Sequence, residues 1–249
     1  MTPVLEVKNV SVHFGGVIAV ENASLSIAPG ELIGFIGPNG AGKTTLMRAI
    51  TGMVKPQSGS ILLDGEDLAR LPIDGRIRKG LALAQQIVQP FGAMSLIDNV
   101  ALACGAAKTA NALVSMFKHD RKQERARAGE LLASVGLEHA AEAMPATVPL
   151  GYLKRLEVAR AMALNPKLLL LDEPLAGLSQ PEARGLADLI GSLNAAGQAI
   201  LLIEHNLREV MRICPLLYVQ DNGRPLAFGN TAEVMQNARV RTAYLGGAH

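Results

Sequence analysis

Residues 37–44 read Gly-Pro-Asn-Gly-Ala-Gly-Lys-Thr, and they satisfy the pattern G-x-x-x-x-G-K-[ST] at every fixed position. No other stretch constrains the chain as strongly, because the pattern demands a strand before it and a helix after it. Gly37, Gly40 and Gly42 tolerate positive φ and let successive backbone N–H groups turn inward around phosphate oxygens. Pro38, Asn39 and Ala41 fill the variable places of that loop. Lys43 then reaches the β- and γ-phosphates, the Thr44 hydroxyl becomes a ligand of Mg²⁺, and Thr45 supports the α-phosphate. The expected ligand is ATP with Mg²⁺. Four fixed positions recur by chance in about one chain in a hundred of this length, so the flanks decide. Glu31–Ile36 is a short apolar run with the character of a buried strand; Thr44–Thr51 has helical spacing and stops at Gly52, a C-cap residue. Strand, loop and helix come in the required order.

The rest of the chain supplies a second chemical centre and a set of polar strand ends. Leu168–Leu171 are four consecutive leucines, the signature of a strand buried on both faces, and Asp172-Glu173-Pro174 follows at its carboxyl end. Asp172 is expected to hold Mg²⁺ through water and Glu173 to orient and polarise the attacking water, with strand alternation sending the two carboxylates to different tasks. Leu81–Ala84 ends at Gln85-Gln86, and Ala199–Ile203 ends at Glu204-His205. Polar residues at the carboxyl ends of strands in an α/β sheet lie where ligands bind. Gln86 is therefore either a site amide or an ordinary loop amide, and His205 either senses the γ-phosphate or is structural.

At 249 residues the chain buries a full core as one large domain, or as one domain carrying a subdomain. Lys and Arg number 24 against 22 Asp and Glu, which leaves no basic field of the kind that holds nucleic acid. Cys104 and Cys214 form neither a metal-ligand spacing nor a disulfide framework, as expected of a reducing cytosol, and both read as small core residues. The amino terminus carries no export signal, and the longest apolar runs fall far short of the roughly 20 residues of a membrane span.

Taken in order, Leu5–Val12 and Ala23–Ile27 alternate and predict an antiparallel β layer. Phe14, before Gly15-Gly16, offers a flat surface to a purine ring or simply packs the turn. Gly59–Leu63 with Asp64-Gly65, and Asp221–Arg224, predict hairpins; residues 72–79 predict a short basic helix. From residue 87 to about 155 strand signals vanish, and residues 99–103, 121–135 and 138–143 read as helical. Residues 118–127 mix charges as a solvated helix face does, and His119 and His139 read the same way. Asn230–Glu233 predicts a capping box, and the end past Gly246 frays.

With residues 37–44, Gln86, Gly151, 168–173 and His205 in this order, the chain resembles the ATP-binding cassette (ABC) ATPases over nearly its whole length. Leu156–Met162, Leu202–Asn206, Pro225–Gly229 and the ending 243–246 look most like the ATP-binding subunits of branched-chain amino acid importers, and the length of the helical insertion suggests the longer of their paired subunits. The resemblance implies a P-loop NTPase core of RecA-like α/β type with an N-terminal antiparallel β layer, built from residues 1–86 and 156–249, and an inserted helical subdomain over about 87–155. It implies that Phe14 stacks on adenine, that Gln86 joins the γ-phosphate and Mg²⁺ to the membrane contact, and that His205 is a switch histidine. It implies a permease, a periplasmic solute-binding protein, a second cassette, and a peripheral place on the cytoplasmic face of the inner membrane. The apolar segment 87–106 is the expected permease surface.

Two departures stand out. The family's signature loop falls on Val148-Pro149-Leu150-Gly151-Tyr152, where only the second glycine survives, and Ser179 stands where an aspartate is common. Alternatives to the importer motor are a soluble ABC ATPase outside transport and a regulatory cassette with weak turnover.

Overall fold

The computed structural model describes residues 2–105 and 122–245. Expectations for Ala106, for the first part of the charged run including His119, and for the end past Gly246 lie outside the described residues. Two sheets organise the chain. The first is antiparallel, with β1 (Leu5–Phe14) between β2 (Val17–Ile27) and β4 (Ser58–Leu63), and β5 (Glu66–Asp67) at its edge. The expected N-terminal β layer is this sheet. Its Asp64-Gly65 turn has φ values of 50° and 78°, the pair of positive angles that a two-residue hairpin of this hand needs.

The second sheet has six strands in the order β10-β9-β3-β8-β7-β6. Here β3 is Leu32–Ile36, β6 Leu81–Ala84, β7 Leu168–Asp172, β8 Ala199–Ile203, β9 Leu216–Asp221 and β10 Arg224–Asn230. Five of them run parallel, and only β10 is antiparallel to its neighbour β9. Parallel strands must be covered on both faces, which is why these segments read as unbroken apolar runs. In β7, Leu169 and Leu171 enter one core and Leu168 and Leu170 the other. Each fully buried leucine stabilises the fold by about 1.5–3 kcal/mol.

One core lies between the two sheets and contains α1 (Lys43–Thr51) through Leu46, Met47, Ala49 and Ile50; the other lies between the six-stranded sheet and most of the remaining helices. Helices α2 (Ile73–Arg78), α3 (Leu96–Cys104), α4 (Lys122–Ser134) and α5 (Leu150–Met162) come before β7; α6 (Gln180–Ala195) and α7 (Leu207–Ile213) come after it. Gly34 in the middle of β3 has a packing reason, since a Cβ there would stand 2.8 Å from Val210 and 2.7 Å from Leu217. Between residues 87 and 155 no described residue is in a strand. Residues 138–143 correct the expectation of a helix: only Glu138–Ala140 form a 3₁₀ turn, and Ala143 N–H bonds Ala140 O. Gly136 at φ 72° ends the preceding helix and Pro145 opens a separate 3₁₀ turn, so no continuous helix runs through this segment. Asn230 caps its helix through Ala232 N–H at 2.9 Å, the N-cap half of the expected box. Cys214 is buried and Cys104 half-buried, in keeping with their reading as core residues.

Because β3, β6, β7 and β8 run the same way, their carboxyl ends share one sheet edge. The four loops that leave that edge carry the candidate site.

Candidate nucleotide site

The loop between β3 and α1 is shaped by close approach. A Cβ on Gly37 would stand 2.1 Å from Gln220 O, and one on Gly42, at φ 92°, would stand 2.2 Å from Ala19 O. Gly40 differs: its φ is 79°, but nothing lies within 4 Å of the Cβ position. Behind the loop, Gln220 Nε2 donates to Ala41 O at 2.7 Å and Gly223 N–H donates to the same oxygen at 3.1 Å. Gln220 is fully buried near the end of β9, and sequence reading missed it. Its only signal is an amide inside an otherwise apolar strand.

Asn39 and Gly40 are exposed, while Thr44 and Thr45 are half-buried in the first turn of α1. The amides of a first helical turn have no partner within the helix and favour an anion. Lys43 is buried, and its Nζ donates to Gly37 O at 2.7 Å and Pro38 O at 2.9 Å. Burial lowers its pKa, with the nearby Glu173 and Asp172 carboxylates opposing.

The carboxylates stand at the end of the central strand β7. Asp172 is its last residue, and burial, reinforced by Glu173, raises its pKa against the pull of Arg48, Lys43 and Lys154. Asp172 Oδ1 is buried without a hydrogen-bond partner among the described residues. Such an orphaned carboxylate oxygen suits a hard cation such as Mg²⁺. Glu173 corrects the expectation from strand alternation. Its φ of 49° puts it in a left-handed turn beyond the strand, so the pleat does not send it away from Asp172, and both carboxylates act on Lys43.

Gln86 and His205 converge on this same carboxylate. Gln86 Nε2 donates to Glu173 Oε2 at 2.7 Å, and His205 Nδ1 stands 3.6 Å from that oxygen. They come from the ends of β6 and β8, which flank β7. Glu204, also unforeseen as a structural element, is fully buried: Oε1 accepts Leu175 N–H at 2.7 Å and Oε2 accepts His205 N–H at 3.2 Å. Burial raises its pKa, and these amides oppose the rise. It ties the loop after β7 to the loop after β8.

The family model described as ABC transporter matches residues 20–176. The chain belongs to the ABC transporter ATP-binding family. It is 38% identical over 257 residues to the high-affinity branched-chain amino acid transport ATP-binding protein LivG of Escherichia coli, covering 99% of each chain. It is 34% identical over 242 residues to the lipopolysaccharide export system ATP-binding protein LptB of the same species, covering 97% of each. Its fold is similar to the ADP conformation of MJ1267, an ATP-binding cassette of an ABC transporter, with TM-score 0.86 at 27% identity over 99% of this chain and all of that one. The chain is accordingly an ATPase that uses ATP and Mg²⁺ and works with membrane components. Among its described residues, no helix is long and apolar enough to cross a membrane.

The cassette's signature loop is built differently from its phosphate loop. Pro149 is the N-cap of α5, with φ −62° and ψ 159° and no side-chain cap. Leu150 is exposed, and a Cβ on Gly151 would stand 3.1 Å from Glu182 Oε1. Glu182 is held in turn by Ser179, whose N–H and Oγ donate to its Oε2 at 3.0 and 2.5 Å. The Tyr152 hydroxyl lies 2.9 Å from His139 Nε2, and their rings meet edge to face at 5.5 Å. His139 is therefore not a bystander on a solvated face. No hydrogen bond joins residues 149–152 to residues 37–45 among the described residues.

Phe14 is 53% exposed at the tip of the β1–β2 hairpin, whose Ala19 O touches the Gly42 position. A groove of about 330 Å³ opens beside β6, lined by Met53, Ile73, Ile77, Ile87 and Arg160 among others. Four of these are exposed apolar residues, as is Phe91, over which Arg160 stacks at 5.3 Å. Within residues 87–106, Leu96, Val100 and Ala101 of α3 are core, whereas Ile87 and Phe91 are exposed.

Proposed function

We propose that this chain is the ATP-hydrolysing subunit of an ABC importer for amino acids of the branched-chain type. In this reading it is peripheral to the cytoplasmic face of the membrane and drives a separate permease supplied by a solute-binding protein. The observation that carries the motor role is the meeting of Gln86 and His205 at Glu173 Oε2. The loop 37–45 cradles the triphosphate, Lys43 faces the β- and γ-phosphates, and Phe14 stacks on adenine. Thr44, Asp172 and Gln86 would hold Mg²⁺, which would supply charge neutralisation to the triphosphate. Glu173 accepts a hydrogen bond from water and takes its proton as the water oxygen bonds the γ-phosphorus and ADP leaves. His205 donates to the γ-phosphate. A carboxylate whose acceptor oxygen is already oriented by Gln86 is set for that one proton, with little reorganisation.

The importer assignment is supported by 38% identity to LivG and to the BraF protein of Pseudomonas aeruginosa, each across 99% of both chains. The 34% identity to LptB favours a second reading, a cassette of lipopolysaccharide export. The exposed apolar groove beside β6 supports permease docking in either case. Purification of the tagged chain from its native membranes separates them. Co-purifying permease subunits whose ATPase rate rises with a binding protein loaded with a branched-chain amino acid support the importer. An assembly stimulated by lipopolysaccharide overturns it.

A further inference from the structure

Lys154 lies one turn into α5, the helix that begins at the signature loop, and is 4% exposed. Burying an ammonium is costly unless it is hydrogen-bonded, and a residue with only a packing role here would serve better as Leu or Met. Its Nζ donates to Gln86 O at 2.6 Å and stands 3.5 Å from Glu173 O. These are the main chains of the two residues whose side chains meet at 2.7 Å. No carboxylate lies within ion-pair distance among the described residues; Glu204, Glu173, Asp172 and Glu157 instead surround the ammonium at longer range and offset its burial.

We propose that Lys154 is a positioning residue, one that fixes the backbones of Gln86 and Glu173 in the register where amide meets carboxylate and couples that register to the attitude of α5. Gln86 follows an edge strand of the sheet and is exposed, and the bond from the buried Lys154 to its carbonyl anchors it there. A shift of α5 by about 1 Å along its axis stretches a 2.6 Å contact beyond hydrogen-bond range and releases the Gln86 backbone. Since Pro149–Tyr152 form the start of the same helix, a change at the signature loop reaches this chain's own hydrolytic carboxylate through one side chain. Glu204 performs the companion task from the opposite side, holding Leu175 and His205.

This inference rests on the proposed role of Glu173, and the test keeps the two apart. Single-turnover hydrolysis of ATP with Mg²⁺, with the full chain in excess, is measured for wild type, Lys154→Met, Lys154→Arg and Glu173→Gln, alongside nucleotide affinity by calorimetry. Lys154→Met is expected to slow hydrolysis about ten- to a hundred-fold while changing affinity less than about two-fold, and Lys154→Arg to recover much of the loss. A folded Lys154→Met with the wild-type rate overturns the proposal, as does an arginine variant no better than methionine or a parallel fall in affinity. Lys154→Gln carries the same comparison if the methionine variant does not fold. Wild-type hydrolysis in Glu173→Gln, by contrast, removes Glu173 from the mechanism, and Lys154's role with it.

Discussion

Lys43 answers two demands that pull its protonation in opposite directions. Burial disfavours the ammonium, while Glu173 and Asp172 favour it, and two loop carbonyls accept hydrogen bonds from it at 2.7 and 2.9 Å. A triphosphate in the loop brings several more negative oxygens to the same ammonium, so binding strengthens the charged form. Removing the side chain deletes a charge-assisted hydrogen bond of about 1.5–3 kcal/mol. Lys43→Ala should therefore weaken Mg²⁺-dependent ATP binding about ten- to a hundred-fold by calorimetry. Equal affinities would contradict the assignment. Phe14 is simpler: its exposed ring has no aromatic partner among the described residues, and Phe14→Ala should weaken ATP in an adenine-dependent way that leaves tripolyphosphate unaffected.

The phosphate loop as an element separates glycines that a sequence pattern treats alike. Gly42→Ala forces a Cβ to within 2.2 Å of Ala19 O at a φ of 92°, whereas Gly40→Ala meets open space and only the strain of φ 79°. Left-handed strain alone costs about 1–2 kcal/mol, and a backbone clash adds to it. Chemical denaturation should give Gly42→Ala a loss of about 3 kcal/mol or more and Gly40→Ala about 1–2 kcal/mol. Equal losses would mean that the loop is not braced by β2. The elements legible in the sequence were those whose residues carry their own reason: four leucines for β7, glycines for the loop, Asn222-Gly223 for the last hairpin, with φ values of 46° and 78°. Gln220 and Lys154 were not legible as parts of the site, and Glu204 only as a polar strand end, because their meaning lies in partners that the local sequence does not show. Gln220 reaches Ala41 across 179 residues and Lys154 reaches Gln86 across 68. A buried polar residue on an apolar element is visible in a sequence, but the carbonyl that it serves is not. Alternation also failed at Glu173, since a left-handed residue at a strand end breaks the pleat.

The nucleotide contacts proposed for the whole molecule fall on two unlike surfaces, the phosphate loop and the signature loop. Within ABC dimers each cassette's signature loop faces the ATP of the other, so a weak signature is a defect exported to the partner. Pro149 offers neither hydroxyl nor N–H, and the Tyr152 hydroxyl is engaged by His139 at 2.9 Å, which leaves the Leu150 and Gly151 amides at the start of α5. Losing one or two hydrogen bonds to a charged group at about 1.5–3 kcal/mol each slows closure or turnover by roughly ten- to ten-thousand-fold. We therefore expect a pair of unlike cassettes in which this chain's phosphate loop meets an intact partner signature. The chain alone should hydrolyse ATP slowly, and Pro149→Ser/Tyr152→Gln or addition of the partner should raise the rate. A fast wild-type rate that neither change raises would refute the asymmetry.

Glu173 is where these scales meet, held by Gln86, faced by His205, backed by Lys154 and placed at the end of the strand that the rest of the sheet surrounds. The most direct test is the steady-state ATPase rate of the complete complex carrying Glu173→Gln, read beside ATP binding to the same complex. Retained binding with a rate at least about a hundred-fold lower is the predicted result, since the amide keeps the shape of the side chain without the carboxylate that takes water's proton. Retained binding with undiminished turnover would contradict the account.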